Sequence, residues 1–290
     1  MNSTQLRLIA IALLAVLSMS FVPVLIKSSN ANEFTIGIVR LAIALLCITP
    51  WILIKFDLKK LPRRDWIYLF VVGLVFGGHW LSYFIAIKLS TAALAALAVS
   101  TYGIHLLLLN WMLKRQSVLP LDWFAIALCV VGCLMVTPSF DLQNQLTVGM
   151  LVGIVSGFLY ACLPLLHQNI VHVPTMNRAW GQFAFAFLFF LPWTGKGNWS
   201  LSTADWMGLV VLGVVCTVIG HSLWVKASAE LPVVFTGVIY YLYVPIAIAM
   251  GFFFLDENVT PLMLVGATLI IGANMMIAVS TWYRFRRNSV

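Results

Sequence analysis

His79, Ser82 and Tyr83 stand at i, i+3 and i+4 spacing inside an otherwise apolar stretch, and about 140 residues later Thr217, His221 and Trp224 share a face at i, i+4 and i+7. That spacing puts three side chains with polar tips on one face of a helix. A polar group in hydrocarbon costs several kcal/mol unless partnered, so these residues form the first candidate site. Imidazole can hold or pass a proton near neutrality, and tyrosine joins an apolar ring to a single hydroxyl. Related faces recur: Thr101 and His105 beside Tyr102; Thr236, Tyr240 and Tyr243 at i, i+4, i+7; Ser156 and Tyr160, with His167 further along. Arg40 and Gln182 are two more polar residues within apolar runs. Together they suit a cavity that holds an amphipathic small molecule between aromatic walls. We expect Arg40 to cluster with His79, and Gln182 with His221. Three alternatives stay open: histidines bonding helix to helix, Arg40 snorkelling outward, and Tyr240 with Tyr241 anchoring an interface.

Other chemistries lack their residues. All nine Asp and Glu fall in loops or at helix ends, which leaves no intramembrane carboxylate for a sodium or proton site. No GxxxxGK[ST] loop is present for ATP, and no HExxH or GxSxG for hydrolysis. Cys47, Cys129, Cys133, Cys162 and Cys216 lie inside apolar stretches without zinc or redox spacing. The expectation is therefore no catalytic residue, no metal and no cofactor. The histidines keep proton coupling open, beside uniport and exchange.

The elements that must carry these residues are helices in a membrane. Of 290 residues, 62% are apolar and 9% are charged, against about 25% charged in soluble domains. Mean hydropathy is +1.01. Runs near the 20 residues that a bilayer requires predict ten spans. They are 8–26, 34–54, 66–87, 91–113, 121–137, 147–167, 177–193, 205–226, 232–254 and 261–282, the fifth and seventh being short. The first run exceeds a usual signal-peptide core and no AxA-like site follows it, so it is read as a membrane helix. The net charge is +8, but the basic residues sit in short runs between spans, as topology signals do. Nucleic acid is therefore not an expected partner; the lipid bilayer and a small-molecule substrate are. With the amino terminus inside, thirteen Lys and Arg fall on the inner side and three (Lys27, Lys88 and Lys196) on the outer. Both termini are expected to be cytoplasmic, in the cell (inner) membrane.

An internal repeat organises the chain. Asp65-Trp66 is answered by Asp205-Trp206, Gly78-His79 by Gly220-His221, Tyr102 by Tyr243, Pro23 by Pro164, and Pro50-Trp51 by Pro192-Trp193. The halves are 1–140 and 141–290, five helices each. An odd number of spans inverts the second half relative to the first, the arrangement of many secondary carriers. Lys114 and Arg115 after the fourth span, against Asp256 and Glu257 after the ninth, agree with inversion. One chain suffices for a central pathway; its oligomeric state is not set by this pattern.

Three stretches carry a family resemblance: 34–40 opening the second span, 86–98 running into the fourth, and Phe254-Leu255-Asp256-Glu257-Asn258-Val259-Thr260 before the glycines at 266–272. On them the chain resembles the drug/metabolite transporter superfamily, in its ten-helix form with two EamA domains. Gln116 departs from that pattern, where many relatives have Glu. The resemblance implies a central cavity among helices 1–4 and 6–9, with 5 and 10 as supports. It also implies alternating-access transport of amino acids, other metabolites or amphipathic drugs, in the direction of export. The rival readings are a channel, an assembly subunit without carrier activity, and, less favoured, a membrane-embedded enzyme.

Overall fold

The computed structural model describes residues 3–55, 61–114, 117–137, 139, 141–231 and 238–287. All described elements are helical, as a lipid environment requires of a spanning backbone. They are α1 (Ser3–Ser20), α2 (Val22–Ser28), α3 (Glu33–Lys55), α4 (Arg63–Leu89), α5 (Ala92–Val99), α6 (Tyr102–Lys114), α7 (Pro120–Val136), α8 (Gln145–His167), α9 (Thr175–Phe190), α10 (Thr203–Val211), α11 (Gly220–Glu230), α12 (Tyr243–Leu255) and α13 (Pro261–Arg287). A π-helical stretch, Leu212–Ile219, joins α10 to α11, and a short helical turn at 238–241 precedes α12.

Eight stretches of the described residues are long and apolar enough to cross a membrane. They correspond to the expected spans except the fifth and seventh. There α7 has 17 residues and α9 has 16, so length and hydropathy alone do not count them. The reason is local. Pro120 opens α7, while α9 starts after Pro174 and tightens into a 3-10 turn at Leu191–Lys196 around Pro192.

Several helices are broken where hydropathy shows one run. The first breaks at Phe21, two residues before Pro23, which sits in the first turn of α2. The fourth breaks between α5 and α6 without a proline. Ser100 Oγ donates to Leu97 O at 2.7 Å and Thr101 Oγ1 to Ala98 O at 2.7 Å, satisfying carbonyls that the helix no longer serves. Every residue of α5, AALAALAV, is buried. Its small side chains meet the glycine face of α8, and a Cβ on Gly153 would lie 2.6 Å from Ala98 Cβ. Glycine is required there by close approach. The outermost pair, α7 and α13, cross at Gly132 and Gly266, while Phe124, Val130, Leu262 and Val265 remain exposed to the surroundings.

One end of the bundle is tied shut. Lys27 Nζ donates to Lys88 O at 3.0 Å and to Ser90 O, and Lys88 Nζ to Ser29 O at 2.5 Å, each cation serving carbonyls near a helix C-terminus. Asp205 accepts from Asn30 N at 2.8 Å and Nδ2 at 3.2 Å. Asp256 adopts φ 53°, so that Glu257 N–H reaches back to Gly251 O at 3.1 Å in a Schellman-type closure. The turn aims the Glu257 carboxylate at the N-terminus of α5, where it accepts from Ala92 N at 2.5 Å and Ala93 N at 3.1 Å. At the opposite end, His172 Nε2 meets Asp65 Oδ2 at 2.7 Å, and Arg284 meets Asp122 at 3.0 Å.

Candidate functional site

α4 supplies the first wall of a central cavity. Its Trp80 and Phe84 line the wall four residues apart, with His79 and Tyr83 on the adjoining face, and Phe76 continues the four-residue stripe behind Trp80. The lining is completed by Met19 and Val22 from the broken first span, Arg40 from α3, Val99 from α5, Tyr160 from α8, His221 from α11, and Tyr240 and Tyr243 around the start of α12. Its volume is about 60 Å³, and its lining contains no Asp or Glu. Functional pockets usually measure roughly 300–1,000 Å³, so this cavity is contracted.

Arg40 is 1% exposed. Its guanidinium lies over the Trp80 ring at 4.1 Å and the Phe84 ring at 5.4 Å, and Nε donates to Thr217 Oγ1 at 3.1 Å. Thr217 in turn donates to Leu212 O at 2.8 Å, five residues back, as the π-helical stretch permits. Arg40 therefore does not snorkel outward. Nor does it touch only its own half, because Thr217 belongs to the other.

His79 is fixed by α8. Ser156 Oγ donates to His79 O at 2.9 Å, so its single proton is spent there. Nδ1 then carries the imidazole proton toward Ser156 O at 3.0 Å and Oγ at 2.8 Å, which leaves Nε2 as an acceptor. The ring stacks on Tyr160 at 4.8 Å and runs parallel to Tyr83 at 6.1 Å. The Tyr83 and Tyr243 hydroxyls hydrogen-bond each other across the halves. Ser82 contributes nothing to this face, because its hydroxyl serves Gly78 O and His79 O of its own helix.

A second cavity of about 280 Å³ lies toward the end opposite the tied one, lined by His167, Thr175, Arg178, Gln182, Phe183, His221 and three neighbours. His221 borders both cavities, and Phe183, 6.2 Å from it, packs on Phe76. These two side chains partition the vestibule from the centre. Gln182 does share the vestibule with His221, but its hydrogen bond goes to His167 Nε2 at 2.9 Å. The expected pairs each share a cavity, Arg40 with His79 in the centre and Gln182 with His221 in the vestibule, but they are not separate, because His221 also borders the central cavity. Phe76 of α4 lies 6.1 Å from the His79 ring and 6.3 Å from the His221 ring, so its side chain links the two histidines.

The remaining sequence candidates are scattered. Tyr102 packs between Tyr160, Tyr240 and Tyr241 and lines a third cavity, about 130 Å³, which it shares with Asn274 and Thr281 of α13. Trp224 packs on Tyr240 at 5.3 Å. Thr101 holds the break before α6 and meets His105 Nε2 at 3.3 Å, while the His105 ring faces Phe158 rather than the central cavity. Thr236 lies outside the described residues. Sequence reasoning left out Trp80, Phe84 and Arg178; the four-residue aromatic stripe from Phe76 was the available signal for the first two.

Comparison with known proteins adds three findings. The profile of the EamA-like transporter family matches twice, over residues 6–137 and 147–279. An uncharacterized transporter of Archaeoglobus fulgidus is 23% identical over 270 residues, covering 89% of this chain and 91% of that protein. A solved structure, described only as the crystal structure of a protein, superposes with a TM-score of 0.67 at 16% identity, covering 94% of this chain and 96% of that one; it supports the fold alone.

Proposed function

Because this chain belongs to the EamA-like transporter family, we infer that it is a multi-pass carrier that moves small organic solutes through the cavity bounded by Arg40, His79, Tyr83 and Tyr243. The observation that carries this reading is that three hydrogen-bonded pairs at the cavity join one half of the chain to the other: Arg40 with Thr217, His79 with Ser156, Tyr83 with Tyr243. A site assembled from both halves changes its exposure when the halves rock. One end is tied and the other holds the vestibule, which is one of the two states that alternating access requires.

In this reading the halves are 1–140 and 141–290, five spans each and inverted, with α7 and α9 as the fifth and seventh crossings. Seventeen residues is near the lower limit for a span, and thinning of the bilayer accommodates the shortfall. The thirteen basic residues assigned to the vestibule end support a cytoplasmic position for that end and for both termini. A vestibule opening to the cytoplasm loads from there, which favours export across the cytoplasmic membrane. The aromatic lining suits amphipathic metabolites, amino acids and drugs of similar shape.

Counterflow tests the proposal. Purified protein in proteoliposomes preloaded with an unlabelled amphipathic solute should transiently concentrate the labelled form from outside. A channel equilibrates without overshoot, and an assembly subunit moves nothing; either result across a panel of amino acids, aromatic acids and amphipathic amines rejects the carrier.

A further inference from the structure

Within the carrier reading, we propose that the recognised solute class is a small organic anion, a carboxylate on an apolar body, with Arg40 supplying its counter-charge. Arg40 is a permanent cation, buried, and present in a cavity whose lining has no acid. Two carboxylates of the tied end are already committed, Asp205 to Asn30 and Glu257 to the amides of Ala92 and Ala93, and Glu33 opens α3 outside the cavity lining. Aromatic faces and one neutral hydroxyl orient the guanidinium, yet they bring no negative charge. Burying an unpaired cation is among the costlier things a fold can do, and a bound anion removes that cost.

The approach to the cavity has the same sign. The vestibule is lined by neutral groups and by Arg178, whose Nη2 donates to Thr175 at 3.2 Å while its buried Nε has no partner among the described residues. An anion entering there meets the positive charge of Arg178, passes the Phe183 and His221 partition, and reaches the Arg40 fork. A cation meets positive charge at both stations. Planar guanidinium geometry favours a carboxylate bound in bidentate fashion.

Three probes of one shape decide the matter: phenylacetate, phenylacetamide and phenethylamine, titrated into wild-type protein in nanodiscs with thermal unfolding as readout. Phenylacetate should bind about ten-fold or more tightly than either isostere, the worth of one charge-assisted hydrogen bond. Arg40→Gln should erase that preference, and Arg40→Lys should keep it at lower affinity. Equal or tighter binding of the amide or amine to wild type overturns the proposal, as does failure of all three to bind or a preference that survives Arg40→Gln. The wild-type comparison stands even where a variant does not fold. Counterflow in proteoliposomes separates this idea from its premise. Binding with the expected preference but no exchange supports the anion site and removes the carrier. Exchange of phenethylamine ahead of phenylacetate supports the carrier and removes the anion site.

Discussion

At the scale of single residues, Ser156 is the side chain on which the orientation of His79 depends. It donates to the histidine carbonyl and accepts from the ring, so its hydroxyl helps to set the plane of the imidazole, while its backbone carbonyl already requires the proton on Nδ1. Ser156→Ala removes this second contact and leaves Nδ1 only the backbone carbonyl. The expected outcome is a roughly ten-fold weaker apparent affinity in a flux assay with near-normal expression, since one buried hydrogen bond is worth about 1–1.5 kcal/mol. Unchanged affinity would assign His79 to packing. Much of this site was legible in sequence, because a polar residue in hydrocarbon announces itself by type: Arg40, His79, Tyr83, Tyr160, His221, Tyr240 and Tyr243 all line the cavity. What type cannot give is partnership. Gln182 finds His167, and His105 turns to Phe158, for reasons of helix rotation that no spacing along one helix contains. Trp80 and Phe84 hid because aromatic residues in membrane spans are ordinary; only contact with Arg40 sets them apart.

At the scale of elements, the spans were legible as hydropathy and their interruptions were not. Hydropathy averages over a window, whereas a break such as the one before α6 needs only two hydroxyls that bond local carbonyls. The π-helical stretch at Leu212–Ile219 has no proline to betray it, yet it lets Thr217 serve Leu212 O and Arg40 at once. Thr217→Val keeps the shape and removes both bonds, so thermal unfolding in detergent should reveal a loss of about 2–3 kcal/mol, with Thr217→Ser recovering most of it. An unaltered melting temperature in the valine variant would mean that water or the cavity itself serves Arg40. The contact of α5 with α8 is tested by bulk instead. At Gly153 a side chain starts 2.6 Å from Ala98 Cβ, so Gly153→Leu should cost about 1–3 kcal/mol by overpacking. Gly208 has open space at its Cβ position, and Gly208→Ala should be tolerated in the same unfolding assay.

At the scale of the whole molecule, repeat mates do parallel work at opposite ends. Asp65 and Asp205 lie in the first turns of matching helices in the two family repeats, and each holds a residue from outside its own helix: His172 for one, Asn30 for the other. The ends differ in what stands beside these carboxylates. Glu257 grips two amides at the start of α5, whereas the corresponding connection of the first half carries Gln116, outside the described residues. A carboxylate at a helix N-terminus is favoured by the dipole and by charge-assisted hydrogen bonds, and an amide forfeits much of both. In the proposed carrier, the Glu257 grip on α5 helps to hold the tied end and so favours the state with an open vestibule. Glu257→Gln retains size and shape while weakening that grip by roughly 1–1.5 kcal/mol, about a ten-fold shift in a two-state balance. Val99 lines the central cavity, so Val99→Cys reports its exposure. A membrane-impermeant maleimide applied from the side of the Glu257 loop should label Val99→Cys several-fold faster when Glu257→Gln is added. Applied from the vestibule side, the same reagent should label more slowly. Equal rates in both backgrounds would show that the Glu257 clasp closes a loop without governing which way the cavity faces, and the bias would then have to be sought in the lysine pair at Lys27 and Lys88.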